Sequence, residues 1–258
     1  MSYAILFLSV AVGSVLVLFW QPRDRRTIKM LTAFGGAYIL AVTCMHLLPE
    51  VFGHAAGVLV TKEMAAHGKF MGLWLLAGFF VQLILDYLSQ GIEHGHAHHH
   101  ADHHAHDGRV PWGMLIGLCL HAYLEGTPLA HESHVGHAHA LDPEVHDALL
   151  ISIVMHNVPV SIVFMSLLLH NGLSRGKSLL VMTAFALMSP LGMLTAELAE
   201  PIARYQRELM AVVIGIFLHI ATTILFESGE EHRFNVQKFL AILGGAGIAV
   251  IASLLHGH

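Results

Sequence analysis

Charge is what this chain has least of. Only 12% of its 258 residues are Asp, Glu, Lys or Arg, against 55% hydrophobic, and an ordinary soluble domain carries about twice that share of charge. Mean hydropathy is +0.64. Most of the few charges fall between apolar runs of roughly 18 residues or more, long enough to cross a bilayer. What remains between those runs is too short for a soluble domain of ordinary size. The sequence therefore predicts an all-α, polytopic membrane protein whose chemistry lies inside the bilayer or in short loops. Cysteine is scarce too. Cys44 and Cys119 are the only two, both in apolar runs where packing is commoner than a disulfide, so they do not report a redox compartment. No basic block interrupts a net charge of -5, which argues against nucleic acid as a partner.

Catalytic signatures are missing as well. There is no Gly-rich phosphate loop and no Gly-x-Ser-x-Gly elbow. The string nearest to a zinc-peptidase motif, His131-Glu132-Ser133-His134, is one residue short and falls in a loop. The expectation is a protein that is not an enzyme and holds no resident cofactor.

Histidine, by contrast, is abundant, with 23 copies. Eight of them (His94, His96, His98, His99, His100, His103, His104 and His106) crowd between Gly91 and Gly108, a composition that reads as metal-binding. The tract is internal and interleaved with Ala, Asp and Gly, unlike a terminal affinity tag. Five more (His131, His134, His137, His139 and His146) share the 131–147 stretch with Glu132, Asp142, Glu144 and Asp147. That stretch either gathers cations at a mouth or is a solvated acidic loop.

Eight spans are predicted: Tyr3–Trp20, Met30–Phe52, Phe70–Tyr87, Val110–Ala130, Ala148–Leu169, Ser178–Leu198, Leu209–Phe226 and Val236–Leu255. They form a single transmembrane domain over 1–258. The first has Arg23, Arg25 and Arg26 only on its C-terminal flank, which suits a membrane helix with its N-terminus outside better than a cleaved signal. With the N-terminus outside, the inner loops hold nine basic residues, Arg23, Arg25, Arg26, Lys29, Arg109, Arg175, Lys177, Arg233 and Lys238. The outer loops hold four, Lys62, Lys69, Arg204 and Arg207. This asymmetry predicts N-out, C-out, with 91–108 a cytoplasmic loop and 131–147 an outer one.

Polar residues inside the spans carry the functional signal. A charge at a membrane centre costs roughly 2.5 to 3.5 kcal/mol even on a lenient scale, so such groups usually face a bundle interior or a water-filled path. His121 and Glu125 are four apart in the fourth span and share a helix face. His156 and Asn157 lie in the fifth, followed by Pro159, which removes a helical donor. The bland reading is interhelical hydrogen bonding; three ligand-type residues, His121, Glu125 and His156, on consecutive helices, a glutamate among them, favour a metal or proton site. His46 and Glu50 also share a face, near a membrane end, as a gate or ion-access pair or as groups that simply reach water. His219, Asp86 and Gln82 fit either packing or a relay.

With these residues in place, the chain resembles the ZIP (Zrt/Irt-like) family of divalent metal transporters over nearly its whole length. The resemblance rests on eight spans, a His-rich loop after the third, His46-Leu47-Leu48-Pro49-Glu50 late in the second, and the paired motifs of the fourth and fifth. The family's His-Asn-x-Pro-Glu-Gly appears as His121-Ala122-Tyr123-Leu124-Glu125-Gly126, and its His-Glu-x-Pro-His-Glu as His156-Asn157-Val158-Pro159-Val160-Ser161. Ser189-Pro190-Leu191-Gly192 is similar to the family's break in the sixth helix. The resemblance implies a first metal site of His121, Glu125 and His156, with Asn157 beside it. The second site of the family would keep only Glu125 and Asn157, because Val160 cannot bind metal.

The expected function is import of a divalent ion by alternating access, through one midplane site between helices 4 and 5. Nitrogen and oxygen ligands suit Zn²⁺ first and would accept Fe²⁺, Mn²⁺, Co²⁺ or Ni²⁺. The expected setting is a multi-pass protein of the cell (plasma or inner) membrane, with the ion and lipid as partners and a homodimer as the oligomer. Two other classes stay open: a metal-binding membrane sensor that moves no ion, and a bis-His haem redox protein.

Overall fold

The computed structural model describes residues 1–20, 25–53, 62–89, 110–130, 141–199, 205–226 and 236–256. Among these residues there is helix and no strand. Helix α1 is Ser2–Trp20. Helix α2, Arg25–Val42, runs through a π-helical turn, Thr43–Leu47, into the short α3, Leu48–Phe52. Then come α4 (Lys62–Ser89), α5 (Trp112–Gly126) and α6 (Pro143–His170). The series ends with α7 (Arg175–Ala186), α8 (Met188–Leu198), α9 (Gln206–Phe226) and α10 (Val236–His256).

Seven of the eight predicted spans meet the length and apolarity needed to cross a bilayer. The fourth does not on its own. Helix α5 has 15 residues, about 22 Å at 1.5 Å per residue, because the Gly126-Thr127-Pro128 sequence ends the α-helix and a buried 3₁₀ turn, Thr127–Leu129, continues it. Pro128 cannot donate to an α-helical ladder. Thr127 Oγ1 instead donates to Leu124 O at 2.8 Å, and the turn is packed within protein, where irregular backbone is tolerated at membrane depth.

Other boundaries follow local chemistry. Helix α6 starts at Pro143, five residues before the predicted span: Asp142 accepts from Glu144 N at 3.1 Å and Pro143 takes the first helical position, the usual N-terminal pairing. Glu144, His146 and Asp147 are thus helical and not part of an outer loop. At its other end Gly172 adopts φ 82°, so that Leu173 N reaches Leu168 O at 3.2 Å and closes the helix. The sixth span is interrupted at Leu187, between α7 and α8, just before the predicted Ser189–Gly192 break. Pro190 has no N–H for Ala186, and its ring crowds that carbonyl.

Close helix packing in lipid relies on small residues, and four helix pairs show it. Gly78 of α4 faces Val212 O while Gly215 of α9 faces Leu75 O; Gly126 of α5 faces Ser189 O while Gly192 of α8 faces Tyr123 O. In both pairs an added Cβ would stand about 2 Å from a main-chain oxygen, far inside van der Waals contact. Gly13 of α1 lies against Ser161 of α6, and Gly245 of α10 against Phe34 of α2. One apolar core joins Leu149 and Ile153 of α6 to Ile39 of α2 and Ile214, Phe217 and Ile220 of α9. A second joins Val10 of α1, Leu118 of α5, Phe164 of α6 and Phe185 of α7. The bilayer-facing sides of α4 and α10 stay apolar and exposed, with Leu73, Phe80, Ile84, Leu243, Ile251 and Leu254 outward.

Candidate metal centre

The candidate centre lies where side chains of α6 and α4 reach α5. Helical periodicity stacks His121 above Glu125 on the buried face of α5, and Leu118 and Ala122 on the same helix are fully buried beside them. His156 projects from α6 into the same place. The His121 and His156 rings stand nearly perpendicular with centroids 5.6 Å apart. One ligand-type atom from each of His121, Glu125 and His156 lies within 4.8 Å of the others, and all three residues are buried. No other group of three His, Cys, Asp or Glu side chains comes together this way among the described residues.

His121 Nε2 lies 3.0 Å from Glu125 Oε1. Neither oxygen of the Glu125 carboxylate has a hydrogen-bond partner among the described residues, although the residue is 0% exposed. A buried carboxylate is normally hydrogen-bonded or paired with a cation. A tetrahedral ion with bonds of about 2.0 to 2.2 Å holds its ligand atoms roughly 3.3 to 3.5 Å apart. The donor atoms all lie within 4.8 Å of one another, of the order of that spacing.

Partners that the spacing of the motifs does not show surround the three. Gln82 of α4, 0% exposed, places Oε1 3.0 Å from His121 Nδ1. Its only sequence signal is its position one turn from Asp86 in an otherwise apolar stretch. Asn157 is buried and its Nδ2 donates to Ser9 Oγ of α1 at 3.3 Å; Ser9 in turn donates to Leu6 O at 2.7 Å. Val160 is buried in the apolar core one helical turn from His156. The α7–α8 break reaches the centre's edge, since Ser189 O touches Gly126, the residue after Glu125. Tyr123 Oη and Thr195 Oγ1, 2.8 Å apart, tie α5 to α8 a turn further on.

The remaining candidates lie elsewhere. His46 sits on the π-turn and faces Glu144 of α6, Nδ1 to Oε1 3.6 Å, instead of pairing along its own helix with Glu50. A π-turn carries an extra residue, which rotates His46 away from the simple four-residue stack. His219 of α9 packs edge-to-face on Phe79 at 4.8 Å, and its Nε2 is 3.9 Å from Asp86 Oδ2. His146 Nδ1 is 3.2 Å from its neighbour Asp147. The tract holding His94, His96, His98, His99, His100, His103, His104 and His106 lies outside the described residues, as do His131, His134, His137 and His139.

Compared with known families, the chain matches the family model described as ZIP Zinc transporter, over residues 1–111 and 93–253.

Proposed function

The chain belongs to the ZIP zinc transporter family, a family of metal transporters and not of enzymes, and on that premise we propose that it carries Zn²⁺ or a similar divalent ion into the cytoplasm through His121, Glu125 and His156. The observation that carries this reading is the convergence of those three buried side chains within 4.8 Å. Two imidazoles and one carboxylate make a three-ligand set that leaves a fourth position for water or for a passing ligand. Asn157 is a weaker candidate, because its amide oxygen is a neutral ligand where a carboxylate would bring charge; its amide nitrogen donates to Ser9 Oγ at 3.3 Å.

The topology proposed is eight crossings, N-out and C-out. The His46–Glu144 pair supports counting α5 as a crossing despite its length. The end of the second span and the start of the fifth meet there, and alternation puts them on one side only if the fourth segment crosses. Tyr3 Oη donating to Glu197 Oε2 joins the start of the first span to the end of the sixth, with the same parity. The centre rides on the close pairs α1/α6 and α5/α8, flanked by α2/α10 and α4/α9. Rocking of one group against the other would expose the ion alternately to the two sides. In this scheme His46 gates the outer end with Glu144, Glu50 lies beside the gate, and the 91–108 histidines capture ions on the inner side. The proposed setting is the cell membrane, with a homodimer as the assembly.

The test is uptake of Zn²⁺, Fe²⁺, Co²⁺ and Mn²⁺ into proteoliposomes carrying wild type or His121→Ala/Glu125→Ala. Flux that disappears in a folded double mutant supports the reading and ranks the ions. Binding without flux in wild type would overturn transport in favour of a sensor.

A further inference from the structure

We propose that Gln82 is the positioning residue of the metal centre: its side-chain carbonyl holds the His121 ring by Nδ1 and thereby selects Nε2 as the nitrogen that meets the ion. The inference rests on the metal-site reading above. Gln82 is buried in α4, a helix that contributes no ligand, and its Oε1 is 3.0 Å from His121 Nδ1. A carbonyl oxygen only accepts, so Nδ1 must carry the proton. A neutral imidazole has one N–H, and its lone pair is then on Nε2, the nitrogen that faces Glu125 Oε1 at 3.0 Å. Two electron-rich atoms at that separation repel unless a proton or a cation stands between them. Gln82 thus builds a cation-seeking pair out of His121 and Glu125.

The choice of an amide also matters. A carboxylate hydrogen-bonded to a ligating histidine raises ligand basicity more than a neutral acceptor does, and a transported ion must leave as well as enter. An amide orients the ring without adding a second negative charge. Because Gln82 and His121 belong to different close helix pairs, relative movement of α4 and α5 beyond about 3.5 Å between donor and acceptor releases the ring.

The experiment uses the full-length chain in detergent, with Co²⁺ alone and Zn²⁺ alone as probes, and the same chain in proteoliposomes for uptake. Gln82→Leu removes the acceptor at similar volume and is expected to weaken ion binding about 10- to 100-fold. Gln82→Glu keeps the acceptor and is expected to tighten binding, lower KM and slow turnover. A packing role predicts the opposite for Gln82→Glu, loss of binding and of turnover together, because a second carboxylate would be buried for nothing. Wild type supplies a readout independent of any variant's folding: nitrogen NMR of labelled histidine at alkaline pH. A protonated Nδ1 and a lone pair on Nε2 of His121, with Nε2 shifting on addition of Zn²⁺, is the expected spectrum. The reverse tautomer, or Gln82→Leu binding as tightly as wild type, overturns the inference. If wild type binds neither ion, the metal-site reading fails by itself, and the tautomer still decides the role of Gln82.

Discussion

Replacing Glu125 by glutamine should move stability and ion binding in opposite directions. The carboxylate is 0% exposed, lacks hydrogen bonds to either oxygen among the described residues and has the His121 ring at 3.0 Å. Removing its charge at constant shape relieves a desolvation cost, so the ion-free chain should be unchanged or more stable by about 1 to 4 kcal/mol. Ion binding loses its only anionic ligand. Taking about 3 kcal/mol for that loss, at the low end for breaking a buried charge pair, Kd rises roughly 100-fold. At a Zn²⁺ concentration 100 times the wild-type Kd, the ion stabilises wild type by about 2.7 kcal/mol and Glu125→Gln by only about 0.4 kcal/mol. Thermal unfolding in detergent with and without Zn²⁺, beside a Co²⁺ titration, reads both quantities. A Glu125→Gln chain that is less stable without ion and gains as much from Zn²⁺ as wild type would refute the assignment and make Glu125 a structural residue.

Three further outcomes follow from the same geometry. A chain lacking residues 91–108 should retain one tight Zn²⁺ equivalent, counted by equilibrium dialysis, and lose it in His156→Ala; two tight equivalents would show a second site despite Val160. Gly192→Ala puts a Cβ about 2.0 Å from Tyr123 O, so α5 and α8 must separate, with a cost of about 1 to 3 kcal/mol and a drop in uptake, both absent if the helices can shift freely. His46→Ala should change stability by less than about 1 kcal/mol, since its partner Glu144 is 37% exposed, yet alter the initial rate of uptake; an unaltered rate removes the gate.

The apolar helices and the three residues that the structure brings together, His121, Glu125 and His156, were legible because each has a local signature. Long apolar runs announce helices in lipid, and His121 with Glu125 share a face by arithmetic alone. The start of α6 was missed: an acidic, His-containing stretch reads as loop, although Asp142-Pro143 carries a helix N-terminal signal. Partners across helices were not legible. Nothing in the third span ties Gln82 to His121, since both Gln82 and Asp86 have the same period and only packing decides which meets α5. His46 was misaligned with Glu50 for a different reason: a π-turn inserts a residue without a sequence mark, and the face defined by four-residue spacing is lost there. Ser9 is likewise a small polar residue in an apolar run until α6 brings Asn157 against it.

Charge accounting bears on how many ions the centre holds. Among the described residues Glu125 is the one carboxylate of the cluster, and His121 and His156 would coordinate as neutral ligands, so one divalent ion would leave a net charge of about +1 in a dry site. A second divalent ion would raise it to about +3, with the neutral Asn157 amide oxygen as its one further ligand and Val160 packed in the apolar core. Each uncompensated charge at membrane depth costs at least about 2.5 kcal/mol, which no anionic ligand of the centre is left to offset. The excess left by a single ion works the other way on turnover. In the proposed scheme, an ion held by one carboxylate would be under-neutralised enough to leave when α4 and α5 part and carry the Gln82 acceptor away from His121.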